Sequence, residues 1–568
     1  MTALLTESLP LLAGAPNGIK KLRELILELA VRGKLVPQDP DDEPASHLLK
    51  RIFEEKARLV AEGKIKKQKA LAEIGKKEKP FVIPPDWEWV RLGSLLKKIG
   101  AGSTPLGGKK AYVADGIKFL RSQNVWNEGL RLNDVAFIPE ETHQRMSGTH
   151  VEAGDLLFNI TGASIGRCAA VPSDFDTGNV SQHVTIIRPL SGDTQPFLHV
   201  VLVSQLIQQT VMDVQVGVSR EGLSIGKLSQ FLIPFPPEAE QLRIITKVDE
   251  LMALCDRLEA QQSDAESAHA QLVQALLGSL TQTSDATGFA ANWQRLAEHF
   301  HTLFTTEPSI DALKQTLLQL AVMGKLVPQD PNDEPTSELL QRIEEEKARL
   351  VVEGKIKKQK SLQAIDEEEK PYALPSNWKW VRFDSISNTR LGKMLDKAKN
   401  KGDLRPYLRN TNVQWFNFEI DDLKSMRFEE HELDEYRVIP GDLVICEGGE
   451  PGRCAVWQGD IEHMFIQKAL HRARPWLDIS PFFLQFCLKT AAHTGFLNQF
   501  FTGATIKHFS GEKLAKYPVP LPPLAEQHRI VEKVDELTAL CDQLKTRLTQ
   551  ARQLNEQLAS TLVEQAVA

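Results

Sequence analysis

Apolar residues at Ile244, Val248, Leu251, Cys255 and Leu258 step by four and three, and Ile530, Val534, Leu537, Cys541, Leu544, Leu548 and Ala551 repeat the pattern. That spacing places a stripe along one face of a helix. The second series continues to Asn555, Leu558 and Leu562, so it predicts a heptad seam with a polar residue at one core position. About 40 helical residues would span about 60 Å. Leu22, Ile26 and Leu29 predict a shorter amphipathic helix, stopped near Gly33, Pro37 and Pro40. A charged helix follows through "LLKRIFEEKARLVAEGKIKKQK". Other segments change period. "DLLFNI", "VTIIRPL" and "DLVIC" are short apolar or β-branched runs bounded by Gly, Pro, Asn and Asp, and read as strands. Helical stretches are expected over 197–212 and 482–497, and "FLIPFPP" and "YPVPLPP" read as extended exits into the long helices. The fold class is α+β, with irregular sheets set among long helices.

The chain is one unit written twice. "GKLVPQDP" at Gly33–Pro40 returns letter for letter at Gly324–Pro331, and Leu22–Ile74 matches Leu313–Ile365 at 38 of 53 positions without a gap. The match continues through "KPFVIPPDWEWVRL" against "KPYALPSNWKWVRF", pairing Trp87 and Trp89 with Trp378 and Trp380. It nearly vanishes for about 140 residues, then returns at "PPEAEQLRIITKVDELMALCDRL" against "PPLAEQHRIVEKVDELTALCDQL". The expected parts are a helical region over 1–79, a variable head over 80–237, a helical spacer over 238–371, a second head over 372–523 and a final helix over 524–568. Segments kept alike should meet the same thing twice, and segments allowed to diverge should meet different things. A tandem enzyme would keep its catalytic middles alike, so the repeat favours recognition.

Composition narrows the classes. At 568 residues the chain exceeds a single core. No apolar run approaches the roughly 20 residues of a membrane helix, and the N-terminus lacks the basic region of a secretory signal. Six scattered cysteines without a C-x-x-C pair predict reduced thiols in a cytoplasm. A net charge of −7 means that any nucleic-acid contact relies on local charge or on partners.

Two variable domains bordered by "GKLVPQDP" and "PPLAEQHRIVEKVDEL" resemble the specificity subunit of Type I restriction–modification systems, over essentially the whole chain from Lys20 onward. The resemblance implies two target recognition domains joined by long antiparallel coiled-coil helices in a pseudo-two-fold tandem repeat. Each domain would read one half of a split, asymmetric site on double-stranded DNA. The constant helices would dock two methylation subunits, and two restriction subunits would join them. Adenine methylation and ATP-dependent cleavage would belong to those partners. S-adenosylmethionine, ATP and Mg are therefore expected on the partners, with no cofactor on this chain. Half-sites read from one side of DNA lie about 34–36 Å apart, a separation that a rigid helical spacer can hold. The rival reading is a scaffold that binds two protein partners and no nucleic acid.

Catalytic motifs are missing from the sequence. No Asn-Pro-Pro-aromatic motif of an adenine methyltransferase occurs. "GSTPLGGKK" has glycine where a phosphate loop needs lysine, and reads as a turn. "EEK" at Glu54–Lys56 and Glu345–Lys347 has an acid-x-lysine spacing but lies in a helical pattern, where surface charge pairs explain it. Histidines show no metal-ligand spacing. No catalytic or metal site is expected.

Lys and Arg number 13 against 14 Asp and Glu between Pro80 and Pro237, and 20 against 18 between Tyr372 and Pro523. Charge alone therefore does not mark a DNA surface, and base-reading side chains on loops become the candidates. "LRSQNV" and "LRNTNV" align Arg121, Gln123 and Asn124 with Arg409, Thr411 and Asn412. Arg grips guanine edges and Asn or Gln pairs with adenine, while the same residues equally serve as turn caps. "TGASIGRC" and "EGGEPGRC" align Arg167 with Arg453 in either a close backbone approach or a tight hairpin. "GVSREGLSIGKL" corresponds to "GATIKHFSGEKL", placing Ser219 and Arg220 near Ile506, Lys507 and His508, the best candidates for direct readout because their chemistry differs. Gln182 and His183 against Gln467 and Lys468 form a fourth pair. The lysine runs at 64–69 and 355–360 read as solvated helix faces or backbone contacts.

Overall fold

A computed structural model of the chain describes residues 12, 14–66, 70–216, 222–283, 285–356, 362–396, 398–459, 461–503 and 505–567. Apolar periodicity becomes helix at α1 (Gly18–Val31), α2 (Ala45–Ala61), α3 (Glu238–Gln282), α4 (Glu307–Val322), α5 (Thr336–Val352) and α6 (Leu524–Val567). The charged helix is shorter than expected: α2 and α5 stop before Gly63 and Gly354, both at φ +71°, so the described part of each lysine run lies past the helix and not on its face. Gly33 and Gly324 lie just past α1 and α4 at φ +67° and +69°, a left-handed turn that costs glycine least. A Cβ on Gly33 would stand 2.5 Å from Pro84 Cγ, and one on Gly324 would stand 2.6 Å from Pro375 Cγ.

The chain forms two compact units, one of residues 1–265 with 551–568 and one of residues 266–550. Each long helix therefore gives its longer, N-terminal part to one unit and its shorter, C-terminal part to the other. In the first unit Ile244, Val248 and Cys255 of α3 share a core with Leu22, Leu25 and Leu29 of α1 and with Ala559 near the end of α6. In the second, Val273, Leu277 and Leu280 of α3 share a core with Leu313 and Leu317 of α4 and Cys541 of α6.

The expected heptad seam does not run the length of either helix. Asn555 is exposed and Leu558 is 44% exposed, while Ala559 is fully buried. Likewise Leu272, four heptads beyond Ile244, is 52% exposed and its neighbour Val273 is buried. A straight helix drifts by about 20° per heptad from a 3.5-residue repeat. Over four heptads that is about 80°, close to the about 100° between neighbouring residues. The buried face thus moves on by one residue.

Each head is built from the same sheets in the same order. In the first, Leu96–Ala101, Val184–Pro189, Leu156–Asn159 and Cys168–Ala170 form one four-stranded sheet, in that order. Ala136–Ile138, Ile117–Leu120, Gly178–Val180 and His150–Val151 form the other. The second head repeats both, with Leu443–Cys446 where the first has Leu156–Asn159. "FLIPFPP" and "YPVPLPP" contribute the strands Leu232–Phe235 and Pro518–Leu521, each paired antiparallel in a two-stranded ribbon with the Trp89 or Trp380 strand. Both members of such a ribbon are edges, so proline is tolerated. The helical stretches appear as Gln195–Val203 with Gln205–Val216, and as Pro481–His493. No single described helix is long and apolar enough to cross a membrane.

The repeated letters build a clamp. Glu240, 1% exposed at the start of α3, accepts from Gln38 Nε2 at 2.7 Å and from Trp87 Nε1 at 2.8 Å. Glu526 accepts from Gln329 Nε2 at 2.6 Å and Trp378 Nε1 at 2.9 Å. Arg243 grips Asp42 at 3.0 and 2.5 Å, and Arg529 grips Asp333 at 3.1 and 2.6 Å. Trp87 and Trp378 then pack edge-on against Phe197 and Phe483, tying each clamp to the helix of its head. The identity of these segments is thus used inside each unit. The EEK lysines also turn inward: Lys56 Nζ donates to Gly93 O and Lys347 Nζ to Ser385 O, both at 2.7 Å. Lys347 also pairs along the helix with Glu344 at 3.7 Å, and the arginines and glutamates beside the lysines pair along the surface.

Candidate nucleic-acid interface

The first candidate turn is short and self-contained. Arg121 N–H donates to Asn124 Oδ1 at 2.9 Å, and Asn124 Nδ2 donates to Arg131 O at 2.9 Å. In the second head Arg409 N–H donates to Asn412 Oδ1 at 3.0 Å, and Asn412 Nδ2 to Glu419 O at 2.8 Å. Asn124 and Asn412 are 2% and 3% exposed. Of the two readings open for these residues, the turn cap is the one built, and direct base pairing by the two asparagines is set aside: a buried amide that already serves three backbone groups has no edge left for a base. Arg121 and Arg409 send Nη2 to the carbonyls of Asp134 and Asp422, at 2.7 and 2.8 Å. Gln123 and Thr411 stay exposed on the outside of the turn.

Around these turns the other candidates gather. In the first head Asn159 Nδ2 donates to Ser122 O at 2.9 Å, Arg167 lies over the Trp126 ring, and Thr161 Oγ1 meets His183 Nδ1 at 2.6 Å. Gln182 and His183 are exposed beside them. Leu223 N–H reaches Ile160 O at 2.8 Å, so the chain next to Ser219 and Arg220 enters the same place. Ser219 and Arg220 themselves lie outside the described residues, as do parts of both lysine runs.

The second head assembles a matching set with different groups. Arg453 Nη2 donates to Asn410 O at 2.9 Å, and His508 Nδ1 faces Glu447 Oε2 at 3.1 Å. Phe509 N–H donates to Glu447 O at 2.7 Å. Lys468 and Lys507 are exposed, and Gln467 is half-buried. Lys424 and Arg409 hold the Asp422 carboxyl below the usual carboxylate range. Sequence reasoning passed over Trp126, Arg131, Glu447 and Glu450. For the two glutamates a signal was available, since Thr161 and Ser164 become Glu447 and Glu450 in a loop that keeps its first glycine and its closing Gly-Arg-Cys.

The phosphate-loop look-alike is a turn, with Gly107 and Gly108 at φ +91° and +58° leading into a single short turn of helix at Gly108–Ala111. Among the described residues no group of three or more His, Cys, Asp or Glu is placed to hold a metal ion. All six cysteines are unpaired and buried.

A family model described as the Type I restriction modification DNA specificity domain matches residues 84–266 and 375–552, one match per head. The chain is 39% identical to the Type I restriction enzyme EcoEI specificity subunit of Escherichia coli, over 97% of this chain and 94% of that protein. Identity to the EcoAI specificity subunit of Escherichia coli is also 39%, with the same coverage. A solved HsdS subunit from Thermoanaerobacter tengcongensis is 18% identical, aligned over 86% of this chain and 98% of that one with a TM-score of 0.43. With both heads matched and nearly the full length shared with two curated relatives, this chain belongs to the family of Type I restriction enzyme specificity subunits.

Proposed function

We propose that this chain is the DNA-reading subunit of a Type I restriction–modification complex, without catalysis of its own, and that each head recognises one half of a bipartite asymmetric site. The observation that carries the reading is the gathering of three loops on one place in each head, on shared backbone but with unlike side chains. Exposed Gln123, Gln182 and His183, with Arg167, Ser219 and Arg220, would read the first half-site. Thr411, Gln467, Lys468, Lys507 and His508 would read the second, while Arg121, Arg409 and Arg453 brace the loops. Two methylation subunits and two restriction subunits would join it in the cytoplasm, where its buried thiols stay reduced, and S-adenosylmethionine, ATP and Mg would sit on those partners.

Adenine methylation mapped across the genome, with and without this gene and with the partners supplied, tests the reading. One split, asymmetric motif that disappears with the gene supports it. Unchanged methylation in the presence of active partners moves the scaffold reading ahead.

A further inference from the structure

The loops that carry Arg167 and Arg453 have one backbone and two chemistries. Arg167 N–H donates to Ser164 O at 3.2 Å, and Arg453 N–H to Glu450 O at 3.2 Å. Gly166 and Gly452 turn the chain at φ +88° and +90°. Arg167 O accepts from Asn159 N–H at 2.9 Å, and Arg453 O from Cys446 N–H at 2.8 Å. With the backbone matched this closely, the difference between the two guanidiniums lies in the side chains around them, the residue three places before the arginine among them.

In the second head that residue is Glu450, which accepts from Arg453 Nη1 at 2.9 Å and from Trp415 Nε1 at 2.8 Å. Arg453 Nη2 is also held, by Asn410 O. In the first head the residue is Ser164, whose hydroxyl accepts from Asn159 Nδ2 at 3.1 Å. Arg167 instead lies over the Trp126 ring with its guanidinium carbon 3.8 Å from the ring centre, and Arg131 stands 3.6 Å from the same centre. Two like-charged planar groups do not fit side by side on one face at those distances, so the indole lies between them. Among the described residues the Arg167 side chain makes this ring contact and no hydrogen bond. A guanidinium stacked on an indole keeps its N–H donors at its rim, and its weak hydration makes it easy to strip of water. Guanine offers O6 and N7 as the acceptor pair that such a rim matches.

Building on the DNA-reading role above, we propose that position 164 in the first head, and position 450 in the second, sets whether the loop arginine reads DNA. With Ser164, Arg167 is left to read a guanine in the first half-site. With Glu450, Arg453 is drawn into the fold as a brace and reads nothing.

The test maps adenine methylation in cells that hold the partner subunits together with the wild-type chain, Arg167→Ala, Ser164→Glu or Glu450→Ser. The wild type is expected to methylate a split motif with a guanine in one half. Arg167→Ala and Ser164→Glu should each relax that guanine, lowering discrimination roughly tenfold to a hundredfold, with the other half unchanged. Glu450→Ser should alter only the second half. The untouched half is the folding control, because a misfolded chain loses both. Where a variant methylates too little to map, binding of the assembled complex to duplexes substituted at the guanine gives the same reading. Near-equal affinity for all four bases supports the proposal. A guanine preference that survives both Arg167→Ala and Ser164→Glu overturns it and leaves the DNA-reading role standing. A wild-type chain that directs no methylation overturns both.

Discussion

The two clamps and the two sets of candidate loops are copied with opposite fidelity. The contacts of Glu240 and Glu526 with their tryptophan and glutamine partners agree to within about 0.1 Å, although the clamps lie in different halves of the chain. The loops around Arg167 and Arg453 share their backbone bonds equally well, yet point their guanidiniums to different partners. A buried carboxylate with two fixed donors tolerates no variation, because any change leaves an unpaired polar group inside. An exposed loop held by its own backbone can change side chains at little cost in stability. The repeat therefore separates what holds a head in place from what the head would read.

Breaking the clamp should have the largest effect on stability. Glu240→Ala strands Trp87 Nε1 and Gln38 Nε2 and should cost about 2–4 kcal/mol. Glu526→Ala should cost the same, and the double variant should lie within about 0.5 kcal/mol of their sum. Hydrogen exchange resolved by unit checks both, and unequal costs would break the equivalence of the clamps. Next comes Gly33→Ala, where the left-handed backbone costs about 1–2 kcal/mol and Pro84 must also move. Gly63→Ala has a similar φ of +71° with open space around it, so thermal melting should show it as the milder of the two.

A third contrast lies along α6. Ala559→Leu should destabilise by about 1–3 kcal/mol through overpacking, whereas Leu558→Ser should stay within about 0.5 kcal/mol. Chemical denaturation distinguishes them, and the reverse order would restore the unbroken heptad seam. The smallest effect is a pH dependence. Burial raises Glu240 and Glu526 above the ordinary glutamate value, against the pull of their tryptophan and glutamine donors. A raised value in the folded state adds stability that is complete below the ordinary glutamate range and is lost as pH rises through the raised value. Melting temperature measured from neutral to mildly acidic pH should show this contribution growing in the wild type, and Glu240→Gln with Glu526→Gln should remove it. The reading loops should behave oppositely to the clamp throughout. Gln123→Ala and Thr411→Ala are expected to shift stability by no more than about 0.5 kcal/mol, so any effect they have belongs to the methylated motif.

Much of this was readable without coordinates, because local chemistry writes it in order along the chain. The 3.6-residue period announced the six helices, glycine marked the ends of α1 and α4, and the internal repeat announced two heads of one kind. What stayed hidden depends on groups far apart in sequence. Nothing local links Gln38 to Glu240, whose side chains meet only when α3 returns to the start of its unit. Nor could periodicity show that Val273 and Ala559, rather than Leu272 and Leu558, face inward, because whether a helix supercoils to keep a heptad seam or stays straight and drifts depends on the partner it meets along its length. Asn124 read equally as a base reader or a turn cap and is a buried turn cap, since side-chain type does not say which way a turn faces. Sequence alone thus set the helices and the repeat, through period, turn chemistry and self-similarity, and carried the resemblance that named the class of protein. Tertiary structure alone decided which polar groups are consumed inside the fold and which, like the Arg167 guanidinium, make no hydrogen bond among the described residues.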